Sequence, residues 1–104
     1  MCSSDLGIVA QKGVVANLVA QLQSQQKSID QIFADQGRLR ENMKALKGSP
    51  EEKALLQRYT RQLDEEETQL DASRKMLKET ETQRDKANAE LDKMINDLQF
   101  DVAL

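Results

Sequence analysis

Histidine and tryptophan are absent from this chain, cysteine occurs once, and aromatic residues make up only 3% of its 104 positions. A single cysteine, Cys2, excludes an internal disulfide, and the sequence has no metal-ligand spacing and no glycine-rich phosphate loop. With few aromatic residues and 32% charged residues, the chain has too little apolar surface to form a large globular core. We therefore expect a protein that is not an enzyme and needs no metal or cofactor.

Strong charge and long apolar runs are also missing. A net charge of −3 offers no basic surface to a polyphosphate backbone, so we expect no nucleic-acid partner. The most apolar run, residues 7–20, is interrupted by Gln11, Lys12 and Asn17 and is too short for a membrane span, so no membrane insertion is expected. No basic segment precedes it, as a secretory signal would require. The partner we expect is protein.

What the chain does contain is a sustained heptad pattern. Core-type residues of the first half follow one another at alternating intervals of three and four, which predicts a coiled-coil helix over residues 14–47, with residues 7–13 irregular or frayed. These core positions are Val15, Leu18, Leu22, Gln25, Ile29, Ile32, Gln36, Leu39, Met43 and Leu46. The pattern favours helices and no strands.

A turn at residues 48–50 is predicted by the signals for ending one helix and starting another. Gly48 can take the left-handed C-terminal cap, Ser49 can cap the next helix, and Pro50 suits its first position. Glu52 completes a capping box with Ser49. The second helix should then cover residues 51–98, followed by a C-terminal tail at residues 99–104.

The second helix has its own heptad seam, which starts at Leu56 and includes a core tyrosine, Tyr59. The positions are Leu56, Tyr59, Leu63, Glu66, Leu70, Ser73, Leu77, Thr80, Arg84, Ala87, Leu91, Met94 and Leu98. Folding about the turn places each core residue opposite one equally distant from the turn, so Leu46 should face Leu56. The predicted fold is all-α: an antiparallel two-helix coiled-coil hairpin. A parallel intermolecular coiled coil is the architectural alternative.

One predicted layer is polar on both sides. Gln36 falls opposite Glu66, and a polar layer of this kind sets the register of a coiled coil at some cost in stability. The run Glu65, Glu66 and Glu67 is not an acid cluster, because consecutive helical residues point about 100° apart. We interpret it as a solvated face.

Beyond the reach of the first predicted helix, an apolar stripe resumes at Leu91, Met94, Ile95 and Leu98. We interpret this stripe as a candidate partner contact. Arg84, a cation at a core position, has two interpretations: a side chain that reaches out to solvent, or a contact to an acidic group of a partner.

Leucine at every seventh position is also typical of zipper transcription factors. Such proteins carry a dense basic helix directly before the zipper. Here that place is taken by the turn and by the acidic pair Glu51 and Glu52. The DNA-binding interpretation is therefore rejected.

Residues 1–6 match the translation of the end of a common short-read sequencing adapter, when its first codon is read as an initiator. We interpret them as a sequencing-adapter remnant. Native sequence is then expected to begin at about Gly7 and to continue upstream.

The segment from Asp35 to Met43, together with the segment from Ala45 to Thr60 that contains the Gly-Ser-Pro turn, resembles the C-terminal coiled-coil region of a bacterial family. That family is defined by a domain of unknown function and includes mucoidy inhibitor A. The resemblance covers most of residues 14–104. It implies a coiled-coil tail behind a larger β-rich domain, and a place in the cell envelope or periplasm. It implies no biochemical activity.

These observations together predict a non-catalytic structural or interaction module, the C-terminal arm of a larger bacterial protein. Its partner would be an upstream domain of the same chain or a second copy. The alternative is a rigid appendage or regulatory lever of an upstream enzyme or ligand-binding domain.

Overall fold

The computed structural model describes the backbone of residues 2–103 and the side chains of residues 6–99. Two helices make up the fold, α1 at Cys2–Lys44 and α2 at Pro50–Ala103, joined by a short turn. They pack against each other as an antiparallel hairpin, and the described part of the chain contains no strand. The predicted fold class is confirmed.

The helices form two units, each with a stretch of both helices. The turn unit comprises Gln25–Met76, and the terminal unit comprises the helical segments before Gln25 and after Met76. In the turn unit the most deeply buried side chains are Leu39, Leu70 and Gln36, with Ile29 close behind. In the terminal unit Ile8, Leu22, Thr80 and Ala87 are buried.

The α1 seam has the predicted register. Every predicted core position from Val15 to Leu46 is buried or half-buried, and on α2 the same holds from Tyr59 to Leu98. Leu56 is the exception, with 38% of its surface exposed. Because α1 ends at Lys44, Leu46 lies beyond the helix, and the contact predicted between Leu46 and Leu56 stays a prediction.

Both ends of α1 differ from the predicted limits. Residues 7–13, predicted to be irregular, are helical, because Ile8 and Gln11 continue the inward seam at the same spacing and give the helix a face to bury. At the other end, α1 stops at Lys44 rather than at residue 47. The amides of Ala45 and Leu46 turn back to the carbonyls three residues earlier, which tightens and closes the last turn.

The second helix is longer than predicted at its far end. Residues 99–103, predicted as a tail, continue α2 as far as Ala103. Leu104 lies outside the described residues. The adapter interpretation concerns residues 1–6. Of these, Met1 and the side chains of residues 2–5 also lie outside the described part of the chain.

Candidate functional site

The turn has the predicted capping geometry. Gly48 adopts a φ of 90°, the left-handed conformation that glycine tolerates without a steric penalty. The backbone amide of Glu52 donates to Ser49 Oγ at 3.2 Å, and the amide of Ser49 donates back to Glu52 Oε1 at 3.2 Å. Pro50 is the first residue of α2. The capping box between Ser49 and Glu52 is therefore formed.

Glu52 also joins the two helices across the turn. Its Oε2 accepts a hydrogen bond of 2.6 Å from the backbone amide of Lys47, an amide that lies beyond the end of α1. This bond, followed by those from Ser49, holds the pKa of the Glu52 carboxyl below its usual value. One side chain thus satisfies amides on both sides of Gly48.

The polar layer lies in the core as predicted, but its pairing is different. Gln36 is only 1% exposed, and its Nε2 donates to Glu67 Oε1 at 2.9 Å, not to Glu66. The prediction placed Gln36 opposite Glu66 without a hydrogen bond between them, and Glu66 is half-buried at its core position. A glutamine side chain is long enough to reach the flank of the facing helix, where Glu67 keeps part of its carboxylate in water. Glu67 is accordingly exposed.

Glu66 instead lies beside a second acid, Asp35 of α1. Glu66 Oε1 is buried and receives no hydrogen bond from the described residues. Arg38 donates to Asp35 Oδ1 from Nε at 3.0 Å and from Nη2 at 2.9 Å, and so keeps that carboxylate ionised. A hydrogen bond between two carboxyl groups needs a proton on one of them, and this arrangement places it on Glu66.

The two acids titrate in opposite directions. Burial, followed by the hydrogen bond and the charge of Asp35, raises the pKa of Glu66 to about 7. The hydrogen bond from Glu66, followed by that from Arg38, lowers the pKa of Asp35. The interpretation of Glu65, Glu66 and Glu67 as one solvated face therefore fails for Glu66, while Glu65 and Glu67 are exposed.

The stripe at Leu91, Met94, Ile95 and Leu98 is half-buried along its whole length. It was expected to lie beyond the first helix, but α1 extends to Cys2 and packs on it. The Cε of Met94 lies 3.3 Å from the place where a Cβ on Gly7 would be. Gln11 Nε2 also donates to the carbonyl of Ala87 at 3.0 Å. The expectation that α1 barely reaches this stripe is wrong, and its role as a partner contact stays a prediction.

Arg84 is half-buried at its core position, with 35% of its side chain exposed. Its guanidinium contacts the next residue, Asp85, at 2.9 Å from Nη2 to Oδ1. The side chain therefore reaches from the seam to the surface, which is the first of its two interpretations. An exposed ion pair of this kind adds little stability.

Apolar side chains on α1 were missed as candidate contacts. Leu6 and Val9 are 67% and 65% exposed, and Val14 and Val19 are also exposed. The sequence contains a signal for three of them, since Val9, Val14 and Val19 belong to the apolar run at residues 7–20.

Cavities in the chain are shallow. One of about 210 Å³ in the turn unit is lined by Gln25, Ser28, Ser73 and Met76, where small serines thin the packing. A groove of about 340 Å³ in the terminal unit runs beside Gln11, Val14 and Glu90. Over the described residues no group of acids or cysteine is placed to hold a metal ion. Neither cavity gathers a nucleophile with a base.

Within the described part of the chain, neither helix has a stretch long and apolar enough to cross a membrane. Comparison of the chain with protein-family models, with curated proteins and with solved structures found no match.

Proposed function

We propose that the chain is a non-catalytic coiled-coil structural and interaction module that serves as the C-terminal arm of a larger bacterial protein. One observation carries the proposal. In the terminal unit α1 carries large apolar side chains not only on the side that α2 covers but also on sides exposed to water. A surface helix usually confines its apolar residues to the side facing its own core.

The composition of this segment is unlike that of the rest of the chain. Between residues 6 and 20 the only polar side chains are Gln11, Lys12 and Asn17. Among residues 6–99 seven large hydrophobic side chains are exposed, and three of them, Val9, Val14 and Val19, lie in this segment downstream of the proposed adapter remnant. Exposed apolar side chains concentrated in one segment mark a protein contact more often than a solvated surface.

The turn unit has features that suit it to a stiff arm. The capping box and the Glu52 bridge close its turn, and fully buried leucines on both helices fill its core. Its buried Gln36 favours one register, since a shift would take the amide away from Glu67. A single register fixes which residues of the two helices face each other within this unit.

The resemblance of the turn region to the family that includes mucoidy inhibitor A adds the larger context. A tail that follows a β-rich domain would have its contacts with that domain or with another copy of the protein. A place in the cell envelope or periplasm is part of the same proposal. It rests on the resemblance alone.

The test begins with the coding DNA upstream of Gly7, recovered by amplification across that junction from the source genome. The longer protein is then produced with and without residues 7–104. Its molar mass is measured by light scattering, and the stability and ligand binding of the upstream domain are measured in both forms. A module for assembly or docking predicts that the deletion changes molar mass or domain stability and leaves the upstream ligand affinity as it was.

The alternative, a regulatory lever, predicts the reverse. The deletion would then change affinity or turnover in the upstream domain at constant molar mass. A native initiator with no upstream frame would contradict the arm proposal outright, and with it the adapter interpretation of residues 1–6.

A further inference from the structure

The outer face of α1 in the terminal unit carries a second heptad seam. Its residues follow one another at intervals of three, four, three and four: Leu6, Val9, Gly13, Ala16 and Ala20. All five are exposed. At about 100° per residue this seam lies on the opposite side of the helix from the inner seam of Ile8, Gln11, Val15, Leu18 and Leu22. A helix with seams on two opposite faces is built to lie between two neighbouring helices.

The outer seam is free of charge along its length. No residue of the seam is charged, and the first charge met farther along the same face is that of Lys27. Its flanks are Ala10 and Asn17 on one side and Lys12 and Val19 on the other, so Lys12 is the single charge beside it. In a chain with 32% charged residues, a helix face exposed to water would normally carry several. An exposed helix face without charged residues has the composition expected at the core of a protein interface.

Gly13 has no role within the hairpin that would explain it. A Cβ placed on Gly13 would meet nothing within 4 Å, and among the described glycines only Gly48 has a positive φ. Glycine in a helix interior costs about 1 kcal/mol relative to alanine. Lack of a side chain at the centre of an exposed seam is useful where another helix backbone approaches closely.

We propose that this seam is the contact surface for a second copy of the chain, with the two α1 helices antiparallel about a two-fold axis. The spacing is self-complementary in that orientation. Gly13 falls opposite Ala16 of the second copy, and Val9 falls opposite its Ala20, so the two central layers contain only small residues and the two backbones can approach closely. Closed two-fold pairing uses the same patch on both copies. The proposal rests on the proposed interaction function and names its partner.

The size of the seam sets the strength of the contact. Fifteen helical residues span about 22 Å. A single pair of helices of that length buries less than the roughly 1,200 Å² typical of stable complexes. The dimer should therefore dissociate at micromolar concentrations, with a Kd on the order of 10 to 100 µM.

Two matched variants test the seam, V9K on it and V14K off it. Both replace an exposed valine of the same helix by lysine, and Val14 faces the side groove near Glu90 instead of the outer seam. The full 104-residue chain and both variants are studied by sedimentation equilibrium from about 5 µM to about 500 µM, a range that brackets the expected Kd. Circular dichroism confirms that each variant keeps its helix content.

The expected result is a reversible dimer for the parent chain and for V14K, and a monomer for V9K over the whole range. A parent chain that stays monomeric overturns the proposal. So does a dimeric V9K, which is the outcome if chains pair through their inner seams as a parallel coiled coil, and so does loss of dimer in V14K. A monomeric parent leaves the arm proposal standing, because the deletion experiment decides that separately.

G13A adds a test in which folding and association move in opposite directions. Alanine should raise the melting temperature of the dilute monomer by several degrees, since the added methyl group meets open space. It should weaken the dimer by about tenfold, since that methyl would press on Ala16 of the second copy. An unchanged or stronger dimer in G13A contradicts the close approach.

Discussion

The half-buried carboxyl group of Glu66 on α2 lies beside that of Asp35 on α1, and Arg38 Nη2 contacts Asp35 Oδ1 at 2.9 Å. The pair forms part of the layer that also contains the buried Gln36, so ionisation of Glu66 acts directly on the packing of the turn unit. The charged groups facing it from α1 are Asp35 and Arg38. On α2, its own neighbours one turn away are uncharged: Gln62, Leu63, Gln69 and Leu70.

The first prediction concerns pH. The pKa of Glu66 is raised from 4.5 to about 7 in the folded chain, so the folded state binds more protons than the unfolded state between those values. Its contribution to stability is fully present below about pH 4.5 and is lost as pH rises through 7. Asp35 and Glu52, whose pKa values are lowered, act in the other direction and lose their contributions at acid pH. Stability should therefore be greatest at mildly acid pH.

The measurement is thermal unfolding by circular dichroism between pH 4.5 and pH 8.5, the parent chain beside E66Q. We expect the parent to lose on the order of 1 kcal/mol across this range, a value reduced for the water that reaches a half-buried side chain. E66Q has no proton to lose there and should be nearly flat. Parallel curves for the two proteins would show that Glu66 titrates normally.

The second prediction concerns the buried amide of Gln36. Q36A removes the hydrogen bond to Glu67 and leaves a cavity at a position that is 1% exposed. The free energy of unfolding should fall by about 2 to 3 kcal/mol in urea titrations. Gln26 is the matched control, since its amide bonds Asp30 on the same helix at the surface. Q26A should cost less than about 0.5 kcal/mol, and equal losses would mean that the layer is not buried in solution.

The sequence predicted this fold well because the intervals between apolar residues are enough to identify the packed faces of a coiled coil. Intervals of three and four identified the inward positions of α1 and nearly all of those of α2, and Ser49, Pro50 and Glu52 marked the turn. The end of α1 was harder to predict. Lys44 to Lys47 carries no helix breaker, and α1 stops early because the amide of Lys47 is taken by Glu52, a contact that exists only after the turn has closed.

The hydrogen-bond partner of each polar side chain in the core could likewise not be predicted from the sequence. Residues equally distant from the turn were matched by number, which paired Gln36 with Glu66. Side chains, however, leave the helix at an angle and reach the neighbouring flank, so the amide bonds Glu67 and the carboxyl of Glu66 turns to Asp35. The burial that raises the pKa of Glu66 follows from its predicted core position, whereas its contact with Asp35 could not be read from the spacing.

The third prediction tests the corrected end of the seam. Leu70 is 1% exposed and Leu56 is 38% exposed, although both belong to the same run of leucines at seven-residue intervals. L70A should lower the free energy of unfolding by about 2 to 5 kcal/mol, and L56A by less than about 1 kcal/mol. Urea titrations of both variants give the comparison. Similar losses would restore Leu56 to the core and contradict an α1 that ends at Lys44.

The fourth prediction sets two glycines of the turn unit against each other. Gly48 has a φ of 90°, whereas Gly37 lies inside α1, and a Cβ on either would meet nothing within 4 Å. The added methyl group therefore has space at both positions, and only backbone conformation separates them. G48A should destabilise the hairpin by about 1 kcal/mol, because alanine is strained in the left-handed region. G37A should stabilise it by up to about 1 kcal/mol, because alanine is the better helix former.

Melting temperatures of the two variants in the same buffer test this directly, since the expected shifts have opposite signs. A rise for G48A would mean that the turn does not use the left-handed cap in solution. A fall for G37A would mean that a partner helix lies against Gly37, and the exposed side of α1 in the turn unit would then need an occupant of its own.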